Sequence, residues 1–138
     1  EILDSTDGTQ GKCGLHYAVE EGQTQMVEFL INKGAKVDTR DKGLRTPLHL
    51  ACLGGHSVIG KLLLEYNADP YERDTSGRTS MHYACCTGSV IAAIELMSIL
   101  VRKNTDLVHM KDHTGRTPLH YAIFNQQADQ NKIIEKLL

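Results

Sequence analysis

Apolar residues fall along this chain in short helical blocks set between polar, glycine-bearing turns. Two blocks show the pattern clearly. Met26-Val27 is followed four residues on by Leu30-Ile31, and Val58-Ile59 by Leu62-Leu63. Apolar pairs at that spacing share one side of an α-helix, so each block reads as an amphipathic helix packed on its neighbours. Ahead of each lies a shorter segment ending in a small residue, Ala18 or Ala51, and Ala84 and Ala122 end equivalent segments later on. The small residue lets a short first helix approach its neighbours closely. Gly22, Gly55 and Gly88 then supply the tight turn between the two helices. Gly34, Asn67 and Asn104 suit a left-handed cap at the end of the second helix.

The blocks are copies of one another. Aligned on a histidine, they read Gly11-Lys-Cys-Gly-Leu-His16-Tyr-Ala18, Leu44-Arg-Thr-Pro-Leu-His49-Leu-Ala51, Gly77-Arg-Thr-Ser-Met-His82-Tyr-Ala84 and Gly115-Arg-Thr-Pro-Leu-His120-Tyr-Ala122. The histidines are 33, 33 and 38 residues apart. Thr46-Pro47 and Thr117-Pro118 place a capping hydroxyl before a proline in the first helical turn, where a missing N–H costs nothing. The Asp-x-x-Gly segments at 74–77 and 112–115 predict the tips of hairpin-like loops.

This repeating unit resembles the ankyrin repeat, which is built around T-P-L-H-x-A, and the resemblance covers nearly the whole chain. It implies an all-α solenoid of stacked helix-turn-helix units in one domain, 1–138, with repeats at about 8–40, 41–73, 74–111 and an incomplete 112–138. Departures from the pattern carry further expectations. Cys13-Gly14 replaces Thr-Pro in the first unit, so that helix start should be softer. Leu44 stands where the tip glycine belongs, so the second loop should differ. Four extra residues between Gly88 and Asn104 predict a second helix longer by about one turn, with a fifth extra residue in the loop before Asp112. Gln126 replaces the fourth turn glycine, and Ile133-Ile134 arrives late, which predicts an enlarged loop around 126–131. The missing initiator Met and the apolar ending Leu137-Leu138 suggest a piece of a larger protein, because natural arrays carry polar terminal caps. The piece itself is expected to be monomeric.

Charge narrows the function. A net charge of −2 gives no basic footprint for nucleic acid. No apolar run approaches the ~20 residues that span a bilayer, so membrane insertion is not expected. Cys13, Cys52, Cys85 and Cys86 form no C-x-x-C pair and read as thiols in a reduced intracellular compartment, cytoplasmic or nuclear. Cys85 is expected in the core and Cys86 exposed. Four motif histidines on successive repeats, about 10 Å apart, cannot share a metal whose ligands must lie ~2.0–2.3 Å from it. No cofactor or metal is expected, and the lack of a nucleophile–base set or phosphate-cradling loop argues against an enzyme.

What remains is a surface for another protein. Lys12, Arg45, Arg78 and Arg116 precede the helix-capping residue of each unit, and Arg40, Arg73 and Lys111 precede the aspartate that opens the next. Stacking would align the first set as a basic ladder along the loop edge, suited to an acidic partner segment. Local pairing with Asp41, Asp74 and Asp112, four residues earlier, is the competing reading, with a worth of ~0–1 kcal/mol per pair. Tyr17, Tyr83 and Tyr121 are expected to pack between repeats with the hydroxyl reaching solvent. In ankyrin proteins the ends of the first helices and the loop tips commonly face the partner. By that resemblance Glu20 and Glu21, Leu53, Cys86 and Phe124 join the candidate site, acidic at one end and apolar beyond. The alternative is a structural spacer or regulatory array within a larger enzyme or membrane protein.

Overall fold

The computed structural model describes residues 2–125 and 130–138. Among these the chain forms eight α-helices and no strand, ordered as four pairs. They are α1 (Gly14–Glu20) with α2 (Thr24–Asn32), α3 (Pro47–Gly54) with α4 (Ser57–Glu65), α5 (Ser80–Ala84) with α6 (Val90–Val101), and α7 (Pro118–Phe124) with α8 (Gln130–Leu137). First helices pack on first helices in order, and second helices on second helices. Ala18, Ala51, Ala84 and Ala122 are all buried at those contacts. Of each apolar pair on α2 and α4, one partner enters the core (Val27, Ile31, Ile59, Leu63) while Met26 and Val58 stay exposed.

The motif histidine is the tie between repeats. Its Nδ1 accepts the N–H of the helix-capping residue three positions earlier, at 3.2 Å from Cys13, 3.0 Å from Thr46 and 3.1 Å from Thr79. That fixes the tautomer, so Nε2–H donates onward to the next loop. His16 reaches the Arg45 carbonyl at 3.0 Å, His49 the Arg78 carbonyl at 3.0 Å, and His82 the Arg116 carbonyl at 2.9 Å. Each ring thus supplies a buried donor and a buried acceptor to groups that no helix or sheet would satisfy. In the first unit the Cys13 sulfur stands 3.4 Å from His16 Nδ1 where the threonine hydroxyl stands elsewhere. Sulfur is the weaker hydrogen-bonding partner, although Cys13 keeps the extended cap geometry and the reciprocal box of the other units.

The loops are equally regular. Asp41, Asp74 and Asp112 each donate their backbone N–H to the carbonyl four residues on, at 2.9–3.1 Å, and accept the N–H of the residue three on. Neighbouring tips are joined by single backbone bonds, Lys42 to Gln10, Thr75 to Gly43 and His113 to Ser76. The expectation that the second loop differs is corrected here. Leu44 adopts a left-handed φ of 60°, close to the 77° of Gly77 and 83° of Gly115, and makes the same turn bond to Asp41. The two flanking tip bonds and the Asp41 cage hold the loop in the common shape. A left-handed non-glycine residue costs about 1–2 kcal/mol, and glycine returns part of that through backbone entropy. Leu44→Gly is therefore expected to stabilise the chain by about 0.5–1 kcal/mol, read as a higher midpoint in urea denaturation.

The long spacing in the third unit lengthens its second helix as expected: α6 has 12 residues against 9 in α2 and α4. Asn104 is not the left-handed cap expected of it. Its φ of −135° starts the 3-10 helix Thr105–His109, and its side-chain amide instead donates to the Leu100 carbonyl at 3.1 Å. Gly34 and Asn67 do take left-handed values, 98° and 68°. Gly22 and Gly55 turn left-handed between their helices, whereas α5 closes at Ala84 with Cys85 in right-handed geometry. The loop predicted around 126–131 falls mainly on residues 126–129, outside the described ones, and from Gln130 the chain is already helix.

Candidate interaction face

The face built by the loops and first helices gathers most of the predicted residues. Every arginine of the ladder has its backbone held from both sides. Arg45, Arg78 and Arg116 each donate N–H to Oδ1 of the loop aspartate at 2.9 Å, and their carbonyls accept the histidine of the preceding repeat. The side chains diverge. Arg45 Nε pairs with Asp41 at 2.9 Å and Arg78 Nε with Asp74 at 2.8 Å, so local pairing holds for both. Arg78 also lies 4.9 Å from the Tyr83 ring centre and donates to its hydroxyl. Arg116 makes no such ion pair among the described residues and instead sits 5.4 Å from the Phe124 ring centre. Lys12 is buried, and its ammonium meets Glu20 at 2.5 Å.

Of the second set, the two arginines are engaged on loop backbone and a carboxylate. Arg40 pairs with Glu72, and Arg73 donates to the carbonyls of Gly77 and Lys111 at 2.8 and 2.7 Å. Lys111 is exposed. Glu20 is half-buried against Lys12, while Glu21, which caps α1, is exposed. The acidic end expected of the surface is therefore Glu21, with Glu20 largely neutralised.

The expectation for the tyrosine hydroxyls is corrected for two of the three. Tyr83 donates to Asp74 Oδ2 at 2.5 Å and Tyr121 to Asp112, both turned back onto the loop, whereas Tyr17 stays exposed and donates to Asp7 at the surface. The rings pack between repeats, edge-on to the preceding histidine, 4.9 Å for His49–Tyr83 and 5.1 Å for His82–Tyr121. Sequence reading missed this aspartate–tyrosine partnership, although Asp74–Tyr83 and Asp112–Tyr121 recur at a spacing of nine. The unit with Leu50 in place of tyrosine lacks it. The phenol and the neighbouring N–H groups hold the Asp74 and Asp112 carboxyls below the usual range against the opposing effect of burial, and burial pushes Tyr121 up to about 12.

Between α3 and α5 this arrangement leaves a cleft of about 120 Å³ lined by Arg45, Leu53, Arg78, His82, Tyr83 and Cys86. Two predicted columns, the arginine ladder and the helix-end residues, meet there. Leu53 is 42% exposed and Phe124 62%. Cys86 is exposed and Cys85 buried, with burial pushing the Cys85 thiol up to about 12. The cleft offers apolar contact beside two guanidinium groups whose Nε edges pair with Asp41 and Asp74, Arg78 also donating from an outer nitrogen to the Tyr83 hydroxyl.

The fold and the motif geometry define an ankyrin solenoid, and the chain belongs to the ankyrin repeat family: the family's three-copy ankyrin repeat model matches residues 2–74 and again 61–138. Ankyrin repeats are generally protein-interaction modules. Among curated proteins the chain is similar to the transient receptor potential cation channel subfamily A member 1 of Drosophila melanogaster, 40% identical over 52 residues, 38% of this chain and 4% of the channel. The Homo sapiens channel of the same name is 39% identical over 54 residues, 39% of this chain and 5% of the channel. The chain matches only that small part of either relative. No described helix is long and apolar enough to cross a membrane.

Proposed function

We propose that this chain is a protein-interaction module that holds an acidic, apolar-tipped segment of a partner on its loop and first-helix face. The observation that carries the reading is the cleft joining Arg45 and Arg78 to Leu53 and Cys86. Its arginines are held in place before any partner arrives, by a histidine tie on each carbonyl and an aspartate on each Nε. Little conformational entropy remains to be lost on binding. A partner carboxylate would meet the outer guanidinium nitrogens, where charge-assisted bonds are worth about 1.5–3 kcal/mol. Arg116 with Phe124 extends the same chemistry one repeat further.

The similarity to the channels supports a second placement of the same module, as a regulatory or spacing array within a larger membrane protein. The partner segment would then belong to the same assembly.

The test is a pull-down from a matched lysate with the chain and an Arg45→Gln/Arg78→Gln/Arg116→Gln variant of equal helicity. Glutamine is preferred to glutamate because a carboxylate at 78 would stand beside Asp74, which the arginine now meets at 2.8 Å. Partners captured by the parent and depleted at least tenfold by the variant support the reading. Identical capture removes the ladder from it.

A further inference from the structure

Each rung of the ladder stands beside the end of its own first helix, eight residues further on, and the four pairings differ in charge. In the first unit Lys12 meets Glu20 at 2.5 Å. In the second and third, Arg45 and Arg78 line the cleft with Leu53 and Cys86, and their Nε groups pair with Asp41 and Asp74. In the fourth, Arg116 leaves its loop aspartate for the Phe124 ring, 5.4 Å away. Only this unit has an aromatic side chain at the helix end. An exposed cation–π contact and an exposed ion pair are of similar worth, so an aromatic there is enough to draw the arginine across.

The two ends of the face are left with opposite charge. Asp112 is 7% exposed and turned inward. Its Oδ1 accepts the Thr114 and Arg116 N–H groups and the Thr114 hydroxyl, and its Oδ2 the Tyr121 hydroxyl. The Arg116 side chain enters no ion pair among the described residues, so its donor fork stays open. Lys111 and Arg73 in the same loop region have no carboxylate partner there either, and residues 113–125 contain no acid. At the first unit, Lys12 and Lys42 are set against Asp7, Glu20 and Glu21. Lys12 is taken by Glu20, and Lys42 donates to the Gly8 carbonyl at 3.1 Å. Glu21 is exposed and outside any ion pair among the described residues. Repeats stacked about 10 Å apart put about 30 Å between Glu21 and Arg116. That is about nine residues of extended chain at ~3.3 Å each.

We propose that the partner segment lies across this face in one direction. An acidic residue sits on Arg116 over Phe124, apolar residues lie against Leu53 and Cys86, and a basic residue about nine positions away meets Glu21. The proposal rests on the docking reading above and adds to it the charge order of the partner.

The test titrates the isotope-labelled chain with a capped peptide of about nine residues. It carries two glutamates at one end, leucines in the middle and two lysines at the other end, with a nitroxide at either end in separate samples. The label at the glutamate end is expected to broaden the amide signals of Phe124 and Asn125, and the label at the lysine end those of Val19, Glu20 and Glu21. Arg116→Gln should weaken binding at least tenfold and Arg45→Gln less, because Asp41 already shares that guanidinium. Exchanging the end charges in Glu21→Lys/Arg116→Glu should reverse the two patterns. Both side chains are exposed, and unchanged amide signals elsewhere verify the fold of the variant. Labels that broaden the same residues from either end, patterns that survive the exchange, or equal losses from Arg45→Gln and Arg116→Gln would overturn the direction. In those cases shifts at Leu53 and Cys86 would still leave the docking face standing. No shift at Leu53 or Cys86 would remove both.

Discussion

Replacing His49 with alanine is expected to cost about 3–5 kcal/mol of stability, whereas the same change at His120 costs about 1 kcal/mol or less. His49 is 1% exposed. Its loss strands the Thr46 N–H and removes the Nε2 bond to Arg78, both in the interior. An unmet buried polar group costs about 1–3 kcal/mol, and the vacated ring volume and the lost edge contact with Tyr83 add to it. His120 makes the same bonds to Thr117, 2.9 Å from the backbone N–H and 2.8 Å from the hydroxyl, but it is exposed. Water there replaces what alanine removes. Urea denaturation followed by circular dichroism measures both. In an array stabilised by neighbour contacts, His49→Ala should also broaden the transition, because it cuts the tie between the second and third repeats.

The same residue fixes a pH dependence. Burial pulls His49 down to about 4, against the bond to the Arg78 carbonyl that favours the charged ring. Its ordinary value is about 6.5. Above pH 6.5 the ring is neutral in both folded and unfolded chains and contributes no slope. Between about 6.5 and 4 the unfolded chain binds the proton and the folded one does not, so stability falls as pH falls. That window amounts to roughly 3 kcal/mol at 1.36 kcal/mol per pKa unit. His49→Ala should abolish this part of the profile.

Asp74→Ala is the second large effect, expected at about 2–4 kcal/mol. The residue is 3% exposed. Oδ1 accepts the N–H groups of Ser76 and Arg78, both at 2.9 Å, and Oδ2 takes Arg78 Nε and the Tyr83 hydroxyl. Removing one member of a buried hydrogen-bonded cluster leaves the others unmet, here two loop N–H groups and a phenol pushed toward the core. Arg78 sits at the edge, so its charge is rehydrated and moderates the loss. The carboxyl is held below its ordinary range, so its contribution is present above about pH 4 and is lost as pH falls through the folded value. The variant should show a shallower acid limb than the parent. It should also bind partners less tightly, because Arg78 is no longer oriented toward the cleft.

Much of the fold was legible because one unit is written four times. The histidine period, the threonine–proline starts and the glycine turns each reported a local backbone need, and local needs are what a sequence states directly. The longer α6 was legible for the same reason, since four residues make one helical turn. What escaped the sequence depends on contacts between units. Leu44 looked like a changed loop, yet neighbouring tips and Asp41 impose the common geometry on it. The tyrosine hydroxyls looked solvent-bound, yet those of Tyr83 and Tyr121 fold back onto an aspartate nine residues earlier. Of the ladder, the order of the rungs was legible but not their charge state. Lys12, Arg45 and Arg78 each meet a carboxylate, and only the distance between side chains reveals which outer nitrogens remain available.

The most direct measurement places a photo-crosslinking benzoyl-phenylalanine at Leu53 in one sample and at Phe29, on the outer side of α2, in another. Each is irradiated in the presence of cell proteins and the products are identified by mass spectrometry. The account predicts a protein crosslinked from position 53, with an acidic segment at the attachment site, that disappears when Arg45 and Arg78 become glutamine. Crosslinks from position 29 without any from 53, or crosslinks from 53 that ignore the two arginines, would contradict it.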